Sequence, residues 1–183
     1  MPENTLSQQS QPASSRTAGA RPDEAPAGRE LVVRLDLRWG DMDAYGHVNN
    51  VQFVRLLEEA RVRLLGSPTK SMTAGPDDDV AVQLFSRAGS DTSSVVAKQT
   101  VEYLAQLEYR TAPIAVFLAV SRIGGASFDI AYSIAEPDKS TTYVRAETTV
   151  VFVRRDSGRP RRITADEREI LNGLLVDPVQ FRR

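Results

Sequence analysis

The sequence predicts an α+β domain in which an antiparallel sheet wraps around one long central helix. Two observations lead there: a single long helical stretch follows one strand, and a run of four strand-like stretches separated by turn residues comes after it. The helix is moreover apolar over more than one narrow stripe, as an element enclosed by a sheet has to be. A length of 183 residues fits one domain with a tail and is too short for an α/β barrel.

Residues 1–29 hold only Met1 and Leu6 as large apolar side chains and carry four of the ten prolines, so they predict a disordered tail preceding a domain over 30–183. A docking or targeting arm is the functional alternative. The first strand is expected over 31–39, where apolar and polar residues alternate from Val33 onward and Trp39 closes the apolar face. Residues 40–50, rich in Gly, Asp and Asn, read as a loop. Helical spacing then places Phe53, Leu57, Ala60 and Leu64 on one face, widened by Val54 and Leu56, with Glu59 and Arg63 as an i,i+4 pair. Asn49 or Asn50 supplies the N-cap, and Gly66 with Pro68 marks the stop.

Residues 66–94 read as a loop-rich connection, and Asp77, Asp78 and Asp79 within it as solvated acids rather than metal ligands. Strands are expected over 95–104, 113–123, 127–134 and 144–155, with Phe128, Ile130, Tyr132 and Ile134 sharing a face. Gly124-Gly125 suits a hairpin and lacks the spacing of a phosphate cradle. Asp156-Ser157-Gly158 turns the chain, and Thr164 with Glu167 forms a capping box for a short helix over 165–175.

Charge and composition exclude several functions. With 23 basic and 24 acidic residues the chain has no electrostatic footprint for nucleic acid or an anionic membrane surface. The absence of cysteine excludes disulfides, thiolate catalysis and cysteine-ligated metal centres, and suits a reducing cytoplasm. His47 is the only imidazole, which excludes paired-histidine zinc chemistry and would have to serve any Ser-His-Asp triad. No run approaches the ~20 apolar residues of a membrane helix and no apolar signal core opens the chain, so a cytoplasmic protein that does not engage membranes is expected.

The chemistry concentrates in Asp41-Met42-Asp43-Ala44-Tyr45-Gly46-His47-Val48-Asn49-Asn50, which brings two carboxylates, the imidazole and two amides to a helix N-terminus. Free N–H groups there stabilise negative charge developing on a carbonyl oxygen, and a carboxylate beside them can activate water or attack the carbonyl itself. That is the outline of an acyl-transfer or hydrolysis site. Asx-turns and a helix cap are the competing explanation of the same acids and amides. Gly40 and Gly46 are expected to adopt backbone angles that other residues avoid.

Trp39-Gly40-Asp41-Met42-Asp43, then Gly46-His47-Val48-Asn49-Asn50, then Phe53, Leu57, Glu58, Glu59, Ala60 and Arg61 resemble the signature of hotdog-fold acyl-CoA thioesterases of the 4-hydroxybenzoyl-CoA thioesterase-like group. Val101-Glu102-Tyr103-Leu104, Arg122-Ile123-Gly124 with Ser127-Phe128, and Val151-Phe152-Val153 extend the resemblance in order, so that it spans residues 31 to about 175. It implies a homodimer, or a dimer of dimers, that joins two sheets and places its active sites at the interface. It puts the catalytic carboxylate on Asp43, as nucleophile or as base toward water, and the oxyanion-binding N–H near Asn50. The similar plant acyl-carrier-protein thioesterases share an aspartate and a histidine that map to Asp43 and His47. Their intervening asparagine is Tyr45 here, so His47 is expected to orient the loop rather than act as the base. Tyr45 and Asn49 are expected to face the substrate. No metal or redox cofactor is implied, and coenzyme A enters only as part of an acyl-CoA substrate.

Another hotdog branch carries its acid on the long helix, which nominates Glu58 or Glu59, although Arg55, Arg61 and Arg63 offer both acids ion-pair partners at helical spacing. Arg154, Arg155, Arg159, Arg161 and Arg162 form the one local basic cluster. It is either a solvated strand end or a seat for the coenzyme A phosphates, with Arg159 and Arg161 the expected contacts. Two alternatives to acyl-CoA hydrolysis stay open: a non-catalytic acyl-CoA or acyl-carrier binding or assembly module, and an acyl-carrier-protein thioesterase.

Overall fold

Helix α1 (Asn50–Leu65) is the element around which the chain is arranged. The structure is a computed structural model that describes residues 28–66 and 82–182. Asn49 caps α1 by accepting the Val51 N–H on its side chain at 3.0 Å, and Gly66, at φ 85°, ends it in a conformation that favours glycine. The helix buries Phe53, Leu56, Leu57, Ala60, Leu64 and Leu65, and with them Arg61.

Strands β1 (Leu31–Leu35), β2 (Thr92–Tyr103), β3 (Ile114–Ile123), β4 (Ser127–Ala135) and β5 (Thr142–Arg154) form one antiparallel sheet in the order β1-β3-β4-β5-β2. Leu31, Val33 and Leu35 of β1, alternate residues of β3 and β4, and Val144, Ala146, Val150 and Phe152 of β5 share one core with α1, and Val101 of β2 packs against it. The expected sheet around a helix is therefore the observed architecture. Among the described residues the sheet has two edges, β1 and the much longer β2.

Several boundaries differ from those expected. β1 ends at Leu35 because its partner β3 starts at Ile114, the residue opposite. Trp39 falls in a 3-10 turn (Trp39–Asp41) and is 75 % exposed, so it does not close the apolar face. Val54 is exposed and does not widen the helix's apolar stripe. A four-residue helix, α2 (Leu84–Arg87), lies in the stretch read as loop, and β2 starts at Thr92, three residues earlier than expected. Gly40 does not take a left-handed φ, whereas Gly46 does at 82°. Helix α3 (Ala165–Asn172) carries the expected Thr164–Glu167 capping box but stops before 175. The tail to residue 27, Pro68 and the acids at 77–79 lie outside the described residues.

The hairpin at Gly124 closes with its N–H on the Ser127 carbonyl at 2.7 Å. Leu174 and Val176 bond to Val120, so the chain beyond α3 lies alongside β3 past the end of β1. Phe117 and Ala115 point to the sheet face opposite α1, where they form a small cluster of their own with Ala135.

Candidate active site

Residues 41–50 fold back on themselves before α1 begins. The Asp43 N–H donates to the His47 carbonyl at 2.8 Å, and Gly46, with its positive φ, turns the chain between them. The Asn49 N–H donates to the Asp41 carbonyl at 2.9 Å. A second segment is stitched to the first: the Val48 N–H donates to the Leu107 carbonyl at 2.8 Å, and His47 bridges to Glu108. Between them opens a cavity of about 450 Å³, lined in part by Asp43, Tyr45, His47, Asn50, Phe53 and Tyr103.

One oxygen of Asp43, Oδ1, accepts the N–H groups of Tyr45 at 2.8 Å and His47 at 3.3 Å. Its other oxygen, Oδ2, receives no hydrogen bond from any described residue. The Asn50 N–H, at the first position of α1, likewise meets no acceptor among the described residues, as expected where the helix supplies none. Tyr103 at the end of β2 donates its hydroxyl to the Asn50 carbonyl at 3.3 Å and its ring stands 5.8 Å from that of Phe53, so strand and helix wall the cavity together. Asp43, with one carboxylate oxygen fixed and one unengaged, thus lines the same cavity as Asn50 at the start of α1, a pairing of acid and helix N-terminus suited to attack on a carbonyl.

Asp43, Tyr45, His47 and Asn50, four of the residues expected at the site, all line this cavity. Asn49, expected both to face substrate and as one of two candidates for the helix cap, supplies the cap through its Oδ1. Arg159 and Arg161 lie at the far end of β2 from this cavity. Arg161 bonds Thr92 at one end of the strand, Tyr103 stands at the other, and ten residues of strand separate them, about 35 Å when extended. Arg161 is also fully occupied: its guanidinium grips Glu167, reaches the carbonyls of Ala88 and Arg162, and lies 4.7 Å over the Phe152 ring. Glu59 is held by Arg55 at 3.1 Å and Arg63 at 2.6 Å, and Glu58 by Arg61 at 3.4 Å, so both helix acids are engaged in ion pairs. Of the apolar residues, Phe53 lines the cavity, while Phe117 lies across the sheet from it.

Two parts of the site escape sequence reasoning. Ala105, Gln106 and Leu107 form a wall, and nothing in three unremarkable residues so far along the chain signals their pairing with His47 and Val48. The other is the pairing of Asp41 with Arg55, whose Nη2 stands 3.1 Å from both carboxylate oxygens. Asp41 is buried, and its Oδ2 also takes the Arg38 N–H at 2.8 Å. Of the two carboxylates in the motif, one is thus committed to the protein and the other is open. Among the described residues no group of three or more acids and histidines is gathered to hold a metal ion, and no helix is long and apolar enough to cross a membrane.

Sheet and helix together define the hotdog fold, and comparison with known proteins bears this out. Residues 37–171 match the family model of the thioesterase-like superfamily, and the chain belongs to that family. A candidate acyl-CoA thioesterase from Xanthomonas campestris is 30 % identical with a TM-score of 0.53, over 72 % of this chain and 97 % of its own. A thioesterase from Thermus thermophilus, complexed with coenzyme A and Zn, is 24 % identical with a TM-score of 0.57, over 79 % of this chain and 92 % of its own. A 1,4-dihydroxy-2-naphthoyl-CoA thioesterase from Synechocystis shares the fold at 14 % identity and a TM-score of 0.58, over 78 % and 96 % of the two chains. No curated protein sequence matches significantly. Family and fold support thioester hydrolysis as the general activity.

Proposed function

We propose that this chain hydrolyses acyl-CoA thioesters, with Asp43 as base or nucleophile and the Asn50 N–H as oxyanion donor. The observation that carries the reading is the Asp43 carboxylate, one oxygen held by two main-chain N–H groups and the other bonded to no described residue, in a cavity that Asn50, the first residue of α1, also lines. In the base route Oδ2 takes a proton from water as the oxygen attacks the thioester carbon, and the carbonyl electron pair moves onto an oxygen that accepts from Asn50. Collapse breaks the C–S bond, and the departing thiolate takes the proton back from Asp43. In the nucleophilic route Oδ2 attacks the thioester carbon and the C–S bond breaks, releasing the thiolate and leaving an acyl anhydride on Asp43; water then cleaves the anhydride to the free acid and the Asp43 carboxylate, and the proton it gives up neutralises the thiolate. His47 borders the site and its main chain fixes Asp43; coenzyme A enters as part of the substrate, and neither route uses a metal or redox cofactor.

The active unit we propose is a dimer formed along β2. This edge strand is twelve residues long and exposes Val95 and Val96, and an unpaired edge of that length calls for cover. Antiparallel pairing of two β2 edges about a two-fold axis near the middle of the strand would bring the Thr92 end of one copy beside the Tyr103 end of the other. The partner subunit's Arg159 would then approach the cavity, which supports a phosphate-binding role for Arg159 that a single chain does not offer, while the engaged Arg161 would act as its anchor.

Thiol release from a panel of short, medium, long and aromatic acyl-CoAs, run beside the same acyl groups on a carrier protein, tests the function. Turnover of at least one acyl-CoA in preference to its carrier-bound counterpart is expected. Preference for the carrier would make the chain an acyl-carrier-protein thioesterase, and tight binding without turnover would make it a binding module.

A further inference from the structure

We propose that Arg55 is a positioning residue for this hydrolysis, acting through Asp41 to set the gap between the Asp43 carboxylate and the Asn50 N–H. The inference rests on the role of Asp43 given above. Arg55 stands on α1 five residues after Asn50, about one and a half turns on. From there its Nη2 reaches off the helix to both oxygens of Asp41 at 3.1 Å, while its Nε holds Gln52 at 2.9 Å and its Nη1 holds Glu59 at 3.1 Å. Asp41 in turn accepts the Arg38 N–H on its side chain and the Asn49 N–H on its carbonyl. The start of the catalytic loop is therefore fastened to the helix twice, once by main chain at the cap residue and once by the Arg55 guanidinium.

Asp43 lies two residues beyond this fastening and Asn50 lies at the other side of it. Removing Arg55 leaves a buried carboxylate without its countercharge, a state the loop relieves by turning Asp41 toward solvent. That movement carries Asp43 with it. Displacing a reacting group by an ångström is enough to cost about 100-fold in rate even when the altered residue never meets the substrate. Contacts of Arg55 with Gln52 and Glu59, by contrast, stay within α1 and do not bear on the loop.

The test compares wild type, Asp43→Asn, Arg55→Met, Arg55→Lys, Asp41→Asn and Glu59→Gln on an acyl-CoA that wild type turns over, each checked for folding by circular dichroism. Arg55→Met is expected to lower kcat by about 10- to 100-fold with KM little changed, the signature of a lost transition-state arrangement rather than lost binding. Arg55→Lys should recover part of the loss, because an ammonium still neutralises Asp41. Asp41→Asn should reproduce the kcat defect and serves where Arg55→Met does not fold. Glu59→Gln, which spares the Asp41 contact, should keep the wild-type kcat. Wild-type kcat in Arg55→Met and Asp41→Asn while Asp43→Asn is inactive would overturn the positioning role alone, as would an equal loss in Glu59→Gln. Full activity in Asp43→Asn, or no turnover by wild type, would overturn the reading of the site and this inference with it.

Discussion

Asp41 and Asp43 are separated by one methionine and do opposite work. Asp41 is buried against Arg55 and the Arg38 N–H, whereas Asp43 keeps one oxygen open to a cavity. The sequence shows two acids and a helix start but not this division, because which acid is committed depends on a guanidinium fourteen residues away. The family resemblance, which singles out the second acid, points to the one the geometry leaves open. Of the two asparagines expected to cap α1, Asn49 is the one that does so. Asn49→Ala should lower stability by about 1 kcal/mol, as lost caps do, and chemical denaturation measures it. Since the cap also fixes the first turn that presents the Asn50 N–H, the same variant should lower kcat more than it raises KM.

At the scale of elements, α1, β3, β4 and β5 are legible in the sequence within one or two residues because each combines a clear period with marked ends, such as Asn49, Gly66 and the Gly124 turn. The pattern overextends β1 for a physical reason: Leu37 is buried like Leu35, so the alternation continues after the partner strand has ended. Four residues of α2 are too few to carry a helical period. The capping box of α3 is legible, but its further use is not: Glu167 is buried and also pairs with Arg161 at 2.5 Å, tying α3 to the turn after β5. Burial alone would raise the Glu167 carboxyl, and the Arg161 and Thr164 hydrogen bonds outweigh it and hold the group below its ordinary value of 4.5. A folded value below the unfolded one means that this contact stabilises fully above about pH 4.5 and fades as the pH falls through the depressed value. Glu136, lowered by its hydrogen bonds from Arg110, contributes to the same acid limb. Glu167→Gln should therefore destabilise the fold at neutral pH, by about 1–3 kcal/mol, because the half-buried Arg161 keeps its neutral partners but loses its countercharge. It should also flatten, without abolishing, the loss of melting temperature below pH 4.5. A melting curve series over pH reads both.

For the whole molecule, the decisive feature is what the single chain leaves uncovered: the β2 edge with Val95 and Val96, and around the cavity Tyr45 and Tyr103, the former 84 % exposed. Light scattering at micromolar concentration should give a dimer or a dimer of dimers, and Val96→Lys, which places charge on the edge, should shift it toward monomer and reduce turnover together. A monomeric wild type with full activity would contradict the shared site. Arg159→Glu should raise KM for acyl-CoA while leaving kcat near wild type, since it is assigned to the phosphates and not to the reacting carbon. Hydrolysis by this chain depends most directly on one carboxylate, and the measurement that reaches it is kcat for Asp43→Asn against wild type on the acyl-CoA turned over fastest. Loss of the base or nucleophile predicts a fall of at least ~100-fold with the fold intact. An Asp43→Asn enzyme that keeps its rate would place the chemistry on another residue.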